Sequence, residues 1–229
     1  MKYQKSFLTL ITLLASFQIC FGQEKLQAEQ IDKFGNIACD DFLARLDIFF
    51  NSLGNDQHST NYAIIYSDKN KSQARYEAWI NGEIYQAKFD DSRFITKRAE
   101  KKASVDVVEV EFWKVPVGVD LPDFVEQKKS FVLPLATKAF KLSMSSYDIC
   151  PTLSPKVFAD YLQANPNLRG HIVIFNESIQ KAKKEGENWL NLLNKEYDIS
   201  RNQLKFFYRK SQPNFDVVTE FWLVPRKKK

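Results

Sequence analysis

The stretch VDVVEVEFWKVP (residues 105–116) returns later in the chain as FDVVTEFWLVP (residues 215–225), and this recurrence decides the fold. With Trp113 set over Trp222 the offset is 109 residues, and Glu111, Phe112, Val115 and Pro116 fall on Glu220, Phe221, Val224 and Pro225. Within the phrase Val108, Val110 and Phe112 alternate with Glu109, Glu111 and Trp113, the period-2 pattern of a strand with one buried face. A repeated strand in one register implies a repeated unit, so the flanking sequence is read as two copies.

Working outward, each copy has the same order. Phe42, Leu46, Phe49, Phe50 and Leu53 recur at helical spacing, and Val157, Phe158, Tyr161 and Leu162 do so in the second copy, after Ser154 and Pro155, a capping hydroxyl and a first-turn proline. The runs NYAIIY, from Asn61, and GHIVIF, from Gly170, suit buried strands. Second helices follow over 72–85 and 179–194, then short strands near Phe94 and over 204–208, then the repeated strand. Short leading strands are expected over 33–37 and 140–144. The expected class is α+β, two tandem α/β repeats with helices packed on a mixed sheet: residues 23–118, a linker over 119–135, and residues 136–229.

Residues 1–22 carry Lys2 and Lys5, an apolar run from Phe7 to Ile19 and small residues near Gly22. That is the order of a cleavable secretory signal peptide, and its run is shorter than the roughly 20 residues that span a bilayer. The expectation is an exported protein, periplasmic or extracellular, with no transmembrane segment after cleavage. Acylation of Cys20 is the alternative, with bulky Gln18 and Ile19 before it. Without the leader two cysteines remain, Cys39 and Cys150, at corresponding places in the copies. They form either one disulfide or two buried thiols, and export favours the disulfide.

The composition, 44% hydrophobic and 27% charged, is that of a chain able to bury a core. The formal charge of +5 falls to +3 without Lys2 and Lys5, and Arg226, Lys227, Lys228 and Lys229 hold much of it. This mild charge carries no nucleic-acid expectation. His58 and His171 have no metal-ligand spacing around them, and no phosphate loop, nucleophile elbow or Cys/His arrangement occurs, so no cofactor, metal or catalytic residue is expected. Asp40 with Asp41 and Asp90 with Asp91 are paired carboxylates, read as a helix start and a turn opening.

The second copy, FADYLQANPNLRGHIVIFNES, then a helix, then DISRNQLKFF, resembles the OmpA-like C-terminal domain. DDFLARLDIFF, NYAIIYSD and FDDSRFI of the first copy are similar in order. That family holds peptidoglycan with an Asp after the strand and an Arg in the next helix, a carboxylate for an ammonium and a guanidinium fork for a carboxylate. The resemblance implies Asp68 and Arg75 as ligand residues in the first copy, although their separation of seven residues is shorter than the family pattern. In the second copy Glu177 takes the Asp position, and Lys184 or Glu185 takes the Arg position, so the grip is lost. The function expected is a non-catalytic binding module of the cell envelope, its partner an envelope protein or cell-wall material. The alternatives are a peptidoglycan binder using Asp68 and Arg75, and a secreted hydrolase with an unrecognised carboxylate site. Trp113 and Trp222 form an interaction surface, or else pack against each other between the repeats around a pseudo-twofold axis.

Overall fold

A computed structural model describes residues 26–54, 56–67, 69–100, 108–121, 126–128, 131–133, 138–145, 154–211 and 217–226. The first half runs β1 (Glu29–Phe34), α1 (Cys39–Asn51), β2 (Ser59–Tyr66), α2 (Asn70–Gln86), β3 (Phe94–Ala99) and β4 (Glu109–Pro116). A three-residue strand β5 (Glu126–Lys128) follows in the connecting segment. The second half runs β6 (Phe140–Ser145), α3 (Pro155–Ala164), β7 (Leu168–Asn176), α4 (Ile179–Tyr197), β8 (Leu204–Lys210) and β9 (Val218–Pro225). The class is α+β, with two mixed sheets in orders β1-β4-β2-β3-β5 and β6-β9-β7-β8.

The halves match strand by strand. In each sheet the second strand pairs parallel to the third and antiparallel to the last, with Asn61 opposite Phe94 and Lys114, and Gly170 opposite Leu204 and Leu223. The repeated strand carries its partner's bulge at the same place, between Gln30 and Asp32 opposite Trp113 and Phe112, and between Lys141 and Ser143 opposite Trp222 and Phe221. After α2 and α4 the backbone turns left-handed at Lys88 and Asp198. A 3-10 turn then leads into β3 and β8, over Asp91–Arg93 and Arg201–Gln203.

The elements form for local reasons. Phe42, Leu46, Phe49 and Phe50 give α1 its buried stripe, while Asp40 and Asp41 occupy its first turn, where carboxylates complement the dipole. Phe49 stacks on Phe112 of β4 at 4.2 Å, and Phe34 meets Phe112 edge-on at 5.2 Å, so the repeated strand seats the first core. In the second half Phe158 and Trp189 converge on Phe221 at 5.1 and 4.9 Å. Ser178 caps α4 by accepting from the Lys181 amide. Ser154 stands at the cap position of α3, but its hydroxyl makes no capping bond there; Pro155 in the first turn sets the start instead.

The halves meet through α2, which packs against α3 and β6. Ala74 and Ala78, on the outer side of α2, belong to the second half's core. The equivalent helix α4 makes no comparable contact with α1 or β1, so the packing is head-to-tail and the expected pseudo-twofold relation is absent among the described residues. Small alanines let α2 approach closely, whereas the matching α4 positions, Lys183 and Glu187, are exposed charges. Among the described residues no helix is long and apolar enough to cross a membrane.

Candidate functional site

The two sheets differ most on the face turned away from their helices. In the first sheet that face is closed: Ile64, Tyr66 and Ala99 are buried in a cluster of their own, with Trp113 of β4 and Leu121 of the connecting segment packed on it. Ladder register puts Val173, Phe175 and Arg209 at the matching places of the second sheet. There, among the described residues, the outer face is open. Val173 and Phe175 are half-buried, and the position of wholly buried Ala99 is taken by exposed Arg209.

That open face combines rings with cations. His171 of β7 lies 5.2 Å from Phe207 of β8, and Trp222 of β9 stands beside His171 in the ladder. The Lys205 ammonium sits over the Phe207 ring at 5.0 Å, a cation–π contact that holds the charge at the face. Burial, with the charges of Lys205 and Arg169, keeps the His171 imidazole below its ordinary range, and the ring stays neutral near pH 7. The Glu220 carboxylate accepts from the Trp222 indole at 2.9 Å and from Lys141 at 3.1 Å. The first sheet has the same indole–carboxylate bond, Trp113 to Glu111 at 3.0 Å, with Tyr66 also donating to Glu111 at 3.1 Å. A surface of this kind can stack on apolar or planar groups while exposed Arg169, Lys205 and Arg209 attract carboxylates.

A second polar assembly lies wholly inside, at the joint between the halves. Glu77 of α2 and Arg98 of β3 form an ion pair with both side chains fully buried. The Tyr161 hydroxyl of α3 accepts from the Arg98 guanidinium at 2.7 Å and has one proton to give, shared between Glu77 and the Ala74 carbonyl 3.0 Å away. The connecting segment closes the cluster: the Phe131 amide donates to Glu77 at 3.3 Å, and Arg98 Nη1 donates to the Val132 carbonyl at 2.9 Å. Asn165, at the end of α3, holds that segment from the other side through Phe131 O and Leu133 N. Burial opposes the charge of Arg98, but Tyr161 and Glu77 more than offset it and raise its pKa; burial pushes the Tyr161 hydroxyl far up. Arg98 Nε is buried without a partner among the described residues, while both Glu77 oxygens and both terminal Arg98 nitrogens bond to protein groups from α2, α3, β3 and the connecting segment, so the cluster acts as a joint.

The other candidates separate clearly. Asp68 and Cys150 lie outside the described residues, as do residues 1–25 with the expected leader and Cys20. Arg75, exposed on α2, donates Nε to the Lys141 carbonyl of β6 at 3.2 Å across the joint. Cys39, the first residue of α1, is disulfide-bonded. Trp113 and Trp222 are each half-buried on the outer face of their own sheet, away from the α2 joint. Asp90 caps the turn before β3 through Ser92. A cleft of about 290 Å³ beside β4 is lined by His58, Ser59, Asp56 and Lys114. Bonds from Ser59 Oγ, the His58 amide and Lys114 hold the Asp56 carboxyl well below the usual range, so the Ser59 hydroxyl donates to Asp56 and His58 meets it through its backbone. Sequence reasoning missed the joint and the open face. The signal for the joint was an arginine on the inward phase of β3, where Phe94 and Thr96 are buried. Fold and site together define a duplicated α+β protein with one covered and one open sheet face. No family model and no curated relative matches the chain.

Proposed function

We propose that the chain is an exported, non-catalytic binding module of the cell envelope, and that it holds an envelope protein or cell-wall material on the outer face of its second sheet. The observation that carries this reading is the exchange of buried Ala99 and Ile64 in the first half for exposed Arg209 and half-buried Val173 in the second. One backbone thus presents a closed face in one copy and an aromatic, cationic face in the other. A surface of half-exposed rings flanked by cations suits recognition. The tandem arrangement is in keeping with two OmpA-like repeats. The Arg75 bond to Lys141 O counts against a guanidinium fork free to grip a ligand carboxylate.

Co-sedimentation with protein-free wall sacculi, and with a washed envelope fraction, tests the reading. Trp222→Ala with Phe207→Ala is expected to release the chain from one of these, while Trp113→Ala leaves retention unchanged. Equal effects of the Trp113 and Trp222 substitutions, or no retention of the wild type on either material, would remove the open face as the binding surface.

A further inference from the structure

The edges of the two sheets differ as well, and the first half shows what the second lacks. In the first sheet β3 is not left as an edge: β5 pairs antiparallel to it, with Lys128 opposite Arg98 and Glu126 opposite Ala99. The register matches Arg98 and Ala99 to Tyr208 and Arg209 of β8. Among the described residues nothing pairs with the outer side of β8, which ends the order β6-β9-β7-β8. A seven-residue strand, LKFFYRK, is therefore an edge strand among the described residues, beside the open face. Unpaired strand edges are templates for another chain.

We infer that β8 takes an extended acidic segment of a partner protein as an antiparallel added strand, with carboxylates opposite Lys205 and Arg209. This rests on the reading of the chain as a binding module and names its partner as a polypeptide. The occupant's polarity follows from the edge. Lys205, Phe207 and Arg209 alternate onto the open face, with Leu204, Phe206 and Tyr208 on the helix side. A strand bearing acidic residues four apart, with apolar residues at the positions between, meets both sets. A second copy does not: in an antiparallel β8–β8 pair centred on Phe207, each Lys205 would stand opposite an Arg209, and like charges directly opposed are destabilising. The first half supplies the backbone geometry, an added antiparallel strand on the corresponding edge. Cations on an edge also deter indiscriminate pairing, so acidic strands are the ones admitted.

The probe is a soluble synthetic peptide with the core Glu-Val-Thr-Val-Glu, compared with Lys-Val-Thr-Val-Lys, titrated into the full chain by fluorescence anisotropy and followed by amide exchange. Expected are binding of the acidic peptide only, slowed exchange at β8 amides, and affinity reduced about tenfold or more in the Lys205→Glu/Arg209→Glu variant. That variant should gain affinity for the lysine peptide. Both positions are exposed, so circular dichroism should match the wild type. No binding of the acidic peptide, binding indifferent to the charge reversal, protection mapped away from β8, or self-association through β8 would each overturn the inference. If the peptide fails while Trp222-dependent retention on envelope material persists, the added strand is refuted and the binding module stands.

Discussion

Replacing Arg98 by Met removes the cation that pairs with Glu77 within the buried joint. Both side chains of the pair are fully buried, and stripping one partner from such a pair costs about 3–5 kcal/mol, because the remaining charge cannot reach water. The Val132 carbonyl also loses its 2.9 Å donor, adding ~1 kcal/mol. The expected loss for Arg98→Met is therefore about 4–6 kcal/mol. Replacing Glu77 by Leu in the same chain removes the stranded charge. The Phe131 amide and Val132 carbonyl are then left without partners, at ~1 kcal/mol each, while Tyr161 keeps its bond to Ala74 O. The double variant should be only about 2 kcal/mol below wild type, and more stable than either single variant. Urea unfolding followed by circular dichroism measures the cycle. Calorimetry adds a second readout: the cluster joins α2 and β3 of the first half to α3 of the second, so Arg98→Met should split one endotherm into two. A single-variant loss under ~1 kcal/mol, or a double variant as poor as the sum of the singles, would refute the assignment of the pair as an interdependent joint.

Three further outcomes follow from particular contacts. Gly170→Ala would place a methyl carbon 2.7 Å from Phe158 Cζ, 2.9 Å from Leu204 Cδ2 and 3.0 Å from Leu162 Cδ1, so thermal unfolding should show a loss of about 1–3 kcal/mol. No loss would mean that this core repacks freely. Intact mass should rise by two daltons on reduction, and peptide mapping should join Cys39 to Cys150; opening that loop of about 110 residues with Cys39→Ser should cost about 4–5 kcal/mol. Mapping to Cys20 would break this prediction. NMR titration of His171 should give a midpoint below its ordinary 6.5 that rises in Lys205→Ala. Since the folded state holds the neutral ring more firmly than the unfolded chain, its stabilisation is full above 6.5 and is lost as pH falls through the depressed value. An unshifted midpoint would contradict the crowding of cations around that ring.

Much of the fold could be read from residue order because its determinants are local. The alternation in VEVEFW fixes which side of β4 meets the core, and Phe42, Leu46 and Phe49 fix the face of α1. What could not be read depends on partners distant in the chain. The strand β5 is three residues in a polar segment, held by backbone pairing to β3 and marked by no side-chain pattern. Docking of α2 on α3 rests on Ala74 and Ala78, which are equally at home on an exposed helix. Periodicity does see Glu77 and Arg98 on inward phases, but cannot say that Tyr161, 63 residues after Arg98, completes their bonds. The candidate site was half legible: Trp222 was picked out by the repeat, whereas the opening of its face depends on where the connecting segment lies over the other copy.

The differences between the halves share one direction. At matched ladder positions the first half carries Ile64, Tyr66 and Ala99 under its own connecting segment, and the second carries Val173, Phe175 and Arg209. At the position of Glu77, 109 residues on, stands Gly186, whose bare backbone accepts the Tyr208 ring at the place of Arg98. On the helix that makes the joint, Ala74 and Ala78 give way to exposed Lys183 and Glu187. Each change turns an internal contact of the first half into either a self-sufficient local core or a solvated surface in the second. Head-to-tail packing uses the small residues of α2, and the charged face of α4 lacks the close approach that Ala74 and Ala78 allow. The outer face and edge of the second sheet do not follow that rule. They keep Trp222, Phe207 and His171 half-exposed, where a surface meant only for water would have lost its rings. Retention of rings on one surface, beside the charging of another, places the interaction of this protein on β7, β8 and β9 in our proposal.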